Sequence, residues 1–496
     1  MTNRPASAVA RNAGKETTML RRAFLPLAAA ALLAACATPP DATTVLSQAD
    51  RAMGVGSVKT LRYVASGTGA TFGQAYVPGA PWPRINLANF TRVIDYENGA
   101  MREDSVRTRA EPNGGGAIPL MGTGEQRVSA FVRGDRAWNM VGPAPQPQPV
   151  AWETRVHDLW TTPHGVIRAA MRNNATVRGE GGNTVVSFTQ PGMYRATAWI
   201  GSDGMVQRVD SVMPHPVAGD TQVSTVYSGW RDWGGVKFPS RIVQTAGGST
   251  VLDLNVTEVQ ANAPAGIEVP ALVASFAERV ESQQVAPGVW YLAGGSHNSV
   301  LVEFADHLML IESPLYDGRA NAVIAEARRL VPGKPLRYVL NSHHHFDHAG
   351  GLRAAAATGA TLVVSEPARP FFERTFANAN ALRPDALQQS GRRAQLMGVS
   401  GSRTFSDATR TVQVHFIEGS PHAQGFMMAW LPRERLLVEA DAYTPAAPNT
   451  PPPAQPNALH VNLVQNIQRL GFDVDRILPL HGRVVPYSEL RTAARM

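Results

Sequence analysis

The densest group of side chains able to do chemistry lies at residues 343–348, which read HHHFDH and place four histidines and one aspartate within six residues. Imidazole nitrogens and carboxylate oxygens are the ligands that zinc and related divalent metals take from proteins. The spacing differs from HExxH, so the helical zinc geometry of many metalloproteases does not apply. The segment predicts a metal site, with enough donors for two neighbouring ions.

The segment follows an apolar run at residues 336–341, which is predicted to be a buried strand. Side chains two residues apart on a strand point to the same side, so His343 and His345 are expected to face one site. The histidine between them points the other way and is expected to be a supporting or solvated residue. A turn then brings Asp347 and His348 to the same site.

Three further segments each supply one candidate ligand. GSPH at residues 419–422 and EAD at 439–441 each end a predicted strand, and LPLHG at 478–482 follows a predicted helix. Together with residues 343–348, these motifs resemble the metallo-β-lactamase superfamily. The resemblance implies an α/β fold for residues 285–496, arranged as an αββα sandwich.

The resemblance also implies two sets of metal ligands. The first site takes His343, His345 and His422. The second site takes Asp347, His348 and His481, and Asp441 is shared between the two sites. Asp347 is in addition the implied catalytic residue, which orients the nucleophile and accepts its proton. The implied cofactors are two divalent metal ions, with zinc favoured and iron or manganese left open.

Three positions bear on which member of the superfamily the chain resembles. Glu312 stands where an aspartate is usual, so support of the ligands is expected to differ there. The single cysteine, Cys36, is far from the motifs, which excludes resemblance to members with a cysteine ligand. His345 stands where oxygen-reducing diiron members carry a glutamate, and this favours a hydrolytic zinc site over a redox iron site.

The implied activity is hydrolysis of an ester, lactone, lactam or related bond in a small-molecule substrate by a metal-bound hydroxide. Tyr443 lies two residues after the shared aspartate and could contact a substrate oxygen. The proline-rich residues 443–457 are either a lid or a solvated connector. The alternative function is a lipid- or lipoprotein-binding envelope protein whose metal site is vestigial or structural.

Residues 37–284 have a different pattern, in which short alternating segments are divided by turn dipeptides such as NG at 98–99 and DG at 203–204. This pattern predicts an antiparallel β-rich domain with one helical interlude at 153–172. The run at 235–242 faintly resembles the sheet of periplasmic lipoprotein carriers, which would imply a lipid ligand. A sheet that only packs on the next domain is an equally open interpretation.

Residues 1–36 resemble a bacterial signal peptide that ends in a lipobox. A pair of arginines precedes an apolar stretch at 23–35, and LAAC at 33–36 places small residues before Cys36. The resemblance implies lipidation of Cys36 and an anchor on the periplasmic side of the cell envelope. The outer membrane is favoured over the inner because Ala37 is not an aspartate. Twin-arginine and general export both stay open.

The composition excludes other classes of protein. The chain has 496 residues, of which 44% are hydrophobic and 17% charged, so it can bury a large core. No apolar run approaches the roughly 20 residues that a membrane-spanning helix needs. The net charge is +7, but the first 35 residues hold five basic side chains against one acidic side chain. A nucleic-acid-binding surface is therefore not expected.

Overall fold

One antiparallel sheet dominates the first half of the chain in the computed structural model, which describes residues 41–110 and 124–496. Its strands are β1 (Thr60–Ala70), β2 (Arg84–Asp95), β3 (Ala100–Arg109), β4 (Gln126–Arg133), β5 (Arg136–Val141), β6 (Ala144–Pro147), β7 (Thr176–Glu180), β8 (Asn183–Gln190), β9 (Tyr194–Ile200), β10 (Val206–Met213), β11 (Thr221–Asp232), β12 (Lys237–Ala246) and β13 (Ser249–Ala261). Among the described residues these 13 strands lie in the order β6-β5-β4-β3-β2-β1-β13-β12-β11-β10-β9-β8-β7. The last strand therefore returns to pair with the first.

Left-handed glycines explain where this sheet turns. Gly99 (φ +58°) lies in the turn between β2 and β3, and Gly204 (φ +79°) lies between β9 and β10. Glycine adopts this conformation without the steric penalty of a Cβ atom. The antiparallel β-rich organisation predicted for this part of the chain is confirmed.

Three helices cover part of the sheet: α1 (Ala42–Met53), α2 (Trp152–Trp160) and α3 (Pro163–Arg172). The predicted helical interlude is present as α2 and α3. Thr162 separates them, because its side chain accepts a hydrogen bond from Gly165 N at 3.2 Å and so caps α3, which begins with proline. Apolar side chains of all three helices share one core with the inner side chains of the sheet.

Two of the cavities formed by the described residues lie against the sheet. One, of about 570 Å³, is lined mostly by polar residues, among them Arg195 and Asp210. The other, of about 250 Å³, combines Arg92 and Glu103 with apolar side chains such as Met213. The lipid ligand expected from the carrier resemblance stays a prediction.

The second half of the chain forms two further sheets. The first contains β14 (Glu281–Ala286), β15 (Val289–Ala293), β16 (Ser299–Glu303), β17 (Leu308–Ile311), β18 (Leu336–Leu340), β19 (Thr361–Ser365) and β20 (Gln395–Val399), in that order. The second contains β21 (Ser402–Ser406), β22 (Thr411–Phe416), β23 (Met427–Leu431), β24 (Leu436–Glu439), β25 (Arg476–Pro479) and β26 (Val485–Pro486), also in order. The helices are α4 (Ala271–Ala274), α5 (Asp317–Leu330), α6 (Phe346–Ala349), α7 (Leu352–Ala357), α8 (Arg369–Ala377), α9 (Ala386–Ser390), α10 (Ala458–Arg469) and α11 (Tyr487–Ala494).

Alternating side chains build the layers. Val300 and Val302 of β16 belong to the core between the two sheets, whereas Leu301 packs on the other side with Val323 and Ile324 of α5. Successive side chains of a strand point to opposite faces, so one strand serves both cores. The helices α10 and α11 pack on the second sheet. This is the αββα layering expected for residues 285–496.

Two short helices, α6 and α7, follow the HHHFDH segment and are separated by Gly350 and Gly351. A Cβ atom on Gly350 would lie 1.8 Å from Leu315 O, and one on Gly351 would lie 2.5 Å from Ala320 Cβ. The break is therefore packed directly against the residues that start α5, and only glycine fits there. Asp317 is the first residue of α5, and Tyr316 occupies the cap position.

The signal peptide, the lipidation of Cys36 and the domain boundary stay predictions. The signal peptide and the lipidation of Cys36 lie outside the described residues. The boundary at residue 284 stays a prediction, and the described residues, 41–110 and 124–496, belong to one compact unit. Among the described residues, no helix is both long and apolar enough to span a bilayer.

Candidate metal centre

The ends of four strands carry the predicted ligands. The segment with His343 follows β18, and His422 lies in the loop between β22 and β23. Asp441 comes two residues after β24, and His481 comes two residues after β25. In α/β folds, ligands bind beyond the carboxyl ends of strands, and the sequence motifs converge at such a place here.

One group of donors consists of His343, His345, His422 and Asp441, whose ligand atoms all lie within 4.8 Å of one another. All four side chains are buried. The Nε2 atoms of His343 and His422 face each other at 3.0 Å. Burial lowers the pKa of His343 and of His345 well below the usual range, and the other histidines of the cluster further disfavour a positive charge there. Both rings are therefore neutral, as a metal ligand must be.

A second group consists of His297, Asp347, His348 and His481, with ligand atoms also within 4.8 Å of one another. The Nε2 atoms of His348 and His481 lie 3.2 Å apart. His297 Nε2 lies 3.2 Å from Asp347 Oδ2. Each of the two groups could hold a metal ion, and together they contain every ligand predicted from the sequence.

Asp441 lies between the two groups. Its Oδ2 is 3.0 Å from His422 Nε2, whereas its Oδ1 is 2.7 Å from His481 Nε2 and 2.9 Å from His348 Nε2. Neither oxygen accepts a hydrogen bond of acceptable geometry, although both are buried. A buried carboxylate without hydrogen bonds fits a site in which cations balance its charge. The residues present therefore fit a metal centre in which Asp441 serves both groups.

The neighbouring histidines also shift the pKa values of the carboxylates in the centre. Burial acts against ionisation of Asp441, but the neighbouring histidines, His348 foremost, outweigh it and hold the pKa of Asp441 well below its usual range. Burial likewise opposes protonation of His348, but the adjacent carboxylates of Asp441 and Asp347 raise its pKa well above the usual value. The centre thus contains ionised carboxylates that can bind a cation.

Sequence reasoning missed His297. It lies in the loop after β15, and burial lowers its pKa to about 4. The same loop orients His481, whose Nδ1 donates to Ser296 O at 2.9 Å, while Asn298 N donates to Leu480 O at 2.8 Å. A lone histidine matches no motif. His297 follows β15, which belongs to the same sheet as β18. This position just past a strand is the one signal that could have identified it.

Glu312 supplies the carboxylate support that the sequence left uncertain. Its Oε2 accepts hydrogen bonds from Ser342 Oγ at 2.5 Å and from His348 Nδ1 at 3.2 Å, and its Oε1 accepts one from Asn341 Nδ2 at 3.0 Å. The residue is fully buried and has a left-handed backbone (φ +73°). A hydrogen bond at Nδ1 directs Nε2 of His348 toward the centre, as carboxylates behind metal-binding histidines commonly do.

His344 and Tyr443 lie outside both groups. His344 donates from Nε2 to Ala75 O at 2.8 Å, which agrees with its expected supporting role. Tyr443 is buried and its ring packs edge-on against His460. Together they line a cavity of about 600 Å³ with the proline-rich segment, and its described lining includes no residue of the two groups. The substrate contact predicted for Tyr443 stays a prediction.

Residues 292–459 match the family model described as the metallo-beta-lactamase superfamily. The match includes the ligand segments up to Asp441 and ends before His481. The resemblance found in the sequence is thus confirmed, and this C-terminal part of the chain has the metallo-β-lactamase fold.

Several solved metallo-beta-lactamases are similar to part of the chain. The enzyme from Pontibacter korlensis is 15% identical with a TM-score of 0.34, and the match covers 44% of this chain and 98% of that chain. The enzyme from Hirschia baltica is 19% identical with a TM-score of 0.33, covering 44% and 96%. FIM-1 from Pseudomonas aeruginosa, in its mono-zinc form, is 18% identical with a TM-score of 0.33, covering 44% and 93%. No curated protein matches the sequence.

Proposed function

We propose that the protein is a hydrolase with a dinuclear metal centre, most simply zinc, that cleaves an ester, lactone, lactam or related bond in a small molecule. The observation that carries the proposal is the position of Asp441, a buried carboxylate whose oxygens lie 3.0 Å from His422 of the first group and 2.7 and 2.9 Å from His481 and His348 of the second. A buried carboxylate without a balancing charge is strongly unfavourable, and cations bound on both sides would remove that cost.

Divalent ions held by these two groups would supply Lewis-acid chemistry, lowering the pKa of bound water and polarising the bond to be cleaved. The chain itself orients Asp347 for proton transfer. Gln74 Nε2 donates to Asp347 Oδ1 at 2.8 Å, and His297 Nε2 lies 3.2 Å from Oδ2. Burial opposes ionisation of Asp347, but the charge of His348 and the contact with His297 hold its pKa well below the usual range. The ionised carboxylate can accept a hydrogen bond from an attacking water and so orient it.

The donors favour zinc. Both groups consist of imidazole and carboxylate alone, and no cysteine belongs to either within the described residues. Nitrogen-rich sets with one or two carboxylates suit zinc well, whereas magnesium and calcium prefer oxygen ligands.

The test measures metal content and turnover of the purified full chain. We expect two metal ions per chain and hydrolysis within a panel of lactam, lactone, aryl ester and phosphodiester substrates. Asp347→Ala should lower kcat/KM by at least about 100-fold, since general acid–base groups contribute about that much. The matched control is Asp473→Ala, whose side chain is 80% exposed. A chain that binds no transition metal under any loading condition, or a rate that survives Asp347→Ala, would overturn the proposal.

The proposal includes a location in the bacterial cell envelope, with Cys36 as the lipid anchor and no nucleic-acid partner. It is supported by the sequence of residues 1–36. In cell fractionation, the wild-type chain is expected with the membranes and Cys36→Ser in the soluble fraction. Membrane retention of Cys36→Ser would contradict the anchor. Co-purified lipid together with no turnover would favour the lipid- or lipoprotein-binding alternative.

A further inference from the structure

The loop at residues 71–83, which joins β1 to β2 of the large sheet, reaches the metal centre. Its Gln74 side chain donates to Asp347 Oδ1 at 2.8 Å. The carbonyl oxygen of Ala75 accepts hydrogen bonds from His345 Nε2 at 3.0 Å and from His344 Nε2 at 2.8 Å. Two predicted metal-binding residues are thus in contact with a part of the chain that precedes the metallo-β-lactamase fold.

Close packing fixes this loop against the HHHFDH segment. Phe346 N donates to Gly73 O at 3.2 Å, and the rings of Phe72 and Trp82 pack on Phe346 at centroid distances of 5.4 and 5.3 Å. Gly73 has φ +81°, and a Cβ atom there would lie 2.3 Å from the Phe346 ring. No residue other than glycine allows this approach without displacing the loop.

The same loop is tied to the segment that carries His422. Tyr76 OH donates to Ser420 O at 3.2 Å, and Gln424 N donates to Tyr76 O at 2.9 Å. The loop therefore joins two strand-end segments of the first ligand group, and its position is fixed from both sides.

The Ala75 contact determines which nitrogen of His345 is free. A neutral imidazole has one N–H, and when Nε2 donates it to Ala75 O the lone pair is on Nδ1. Nδ1 of His345 is buried and has no hydrogen-bond partner. The loop therefore leaves Nδ1 of His345 available to a metal ion. Hydrogen bonds of this kind orient metal-binding histidines and fix their tautomer.

We propose that loop 71–83 is an integral part of the metal centre: Ala75 fixes His345 as an Nδ1 ligand and Gln74 positions Asp347. The inference rests on the metal centre of the proposed function and extends it to the large sheet. Gln74 is a positioning residue, because it acts through Asp347. On this view the sheet is needed to assemble the site, and the C-terminal part alone binds metal weakly.

The test uses the full chain and measures metal binding without any substrate. Zinc affinity is determined by competition with a chromophoric chelator, and the ligand environment is followed by the visible spectrum of the cobalt(II)-loaded chain. Gly73→Ala displaces the loop, and Gln74→Met removes the donor to Asp347 at nearly constant size. Gly182→Ala is the control for the first, because Gly182 has φ +79° and no atom within 4 Å of its Cβ position. Val77→Ala, at a loop side chain that is 45% exposed, is the control for the second.

We expect Gly73→Ala to weaken zinc binding by about 10- to 100-fold and to change the cobalt spectrum, as loss of supporting hydrogen bonds does in other metal sites. Gln74→Met should weaken binding of one of the two ions, and both controls should match the wild type. If Gly73→Ala fails to fold by circular dichroism, Gln74→Met decides. Wild-type affinity and spectrum in Gln74→Met, or in a folded Gly73→Ala, would overturn the inference. A wild-type chain that binds no metal would instead overturn the proposed function.

Discussion

Glu312 Oε2 lies 3.2 Å from His348 Nδ1, so a fully buried carboxylate stands directly behind one ligand of the metal centre. The same carboxylate also accepts hydrogen bonds from Ser342 and Asn341. Three donors thus converge on one side chain, and the left-handed backbone at Glu312 is the strained conformation that aims it.

Replacing this carboxylate is expected to weaken both the fold and the metal site. In Glu312→Gln, one oxygen becomes an amide that cannot accept, so at least one buried donor loses its partner. The free energy of unfolding should fall by about 1–3 kcal/mol, and zinc affinity should fall by about 10- to 100-fold. Chemical denaturation and chelator competition measure the two effects. Glu268→Gln, at a side chain that is 84% exposed, should change neither. A Glu312→Gln chain with wild-type zinc affinity would contradict this role.

His297 is expected to bind metal with the second group. In His297→Ala that group loses one imidazole, whereas the first group keeps all of its members. Metal analysis of the dialysed chain should therefore fall from two ions toward one, with the remaining ion held at near wild-type affinity. His415→Ala, in β22 and outside both groups, should retain two ions. Two tightly bound ions in His297→Ala would show that this histidine is not a ligand.

Stability is expected to decrease in mild acid because of a buried histidine far from the metal centre. Burial lowers the pKa of His164 from 6.5 to about 4, although a hydrogen bond to Met53 O partly opposes the shift. Between these two pH values the unfolded chain protonates this ring and the folded chain does not, so the unfolded state binds more protons. The free energy of unfolding should therefore fall as the pH drops from about 6.5 toward 4, by at most about 3 kcal/mol from this group.

The variant His164→Phe isolates that contribution, because its ring cannot titrate and the site already packs against Tyr96 and Phe238. Urea denaturation of metal-free chain at pH 7 and pH 5 should give a smaller pH difference for the variant than for the wild type. Equal differences for both chains would exclude His164 as a source of the acid sensitivity.

Removing metal is expected to destabilise the whole described unit. Ions that bind the folded chain alone add RT ln(1 + [L]/Kd) for each site, which is about 2.7 kcal/mol at 100-fold excess over Kd. Dialysis against a chelator should lower the melting temperature, and added zinc should restore it. Calorimetry with and without chelator measures the shift. An unchanged melting temperature in a chain shown to release its metal would argue against ions bound within this core.

The candidate ligands were found because four segments of the sequence resemble the motifs of a known superfamily, and three of these segments follow predicted strands. Residues just past the carboxyl ends of neighbouring strands can meet at one edge of a sheet. The motifs at 343–348, 419–422 and 439–441 could therefore be placed without coordinates, and the structure brings all of their candidate ligands together.

The remaining parts of the site depend on contacts that no local pattern contains. His344 Nε2 meets Ala75 O across 269 positions of the chain, and the contact uses a backbone carbonyl that any residue possesses. His297 has no other candidate metal ligand next to it in the sequence. The break between α6 and α7 depends on how closely Gly350 approaches Leu315, which periodicity does not report.

The pairing of β13 with β1 has a consequence for how the molecule is made. Leu61 pairs with Ala261, and Gly69 pairs with Leu252, so the strand that leads into loop 71–83 is held on both flanks once residue 261 has been translated. Every donor of the two groups, from His297 onward, follows that point in the chain. Domains generally fold from the N-terminus as synthesis proceeds. The strands that hold loop 71–83 thus all precede the donors in the chain, so the large sheet can form before the metal centre is assembled.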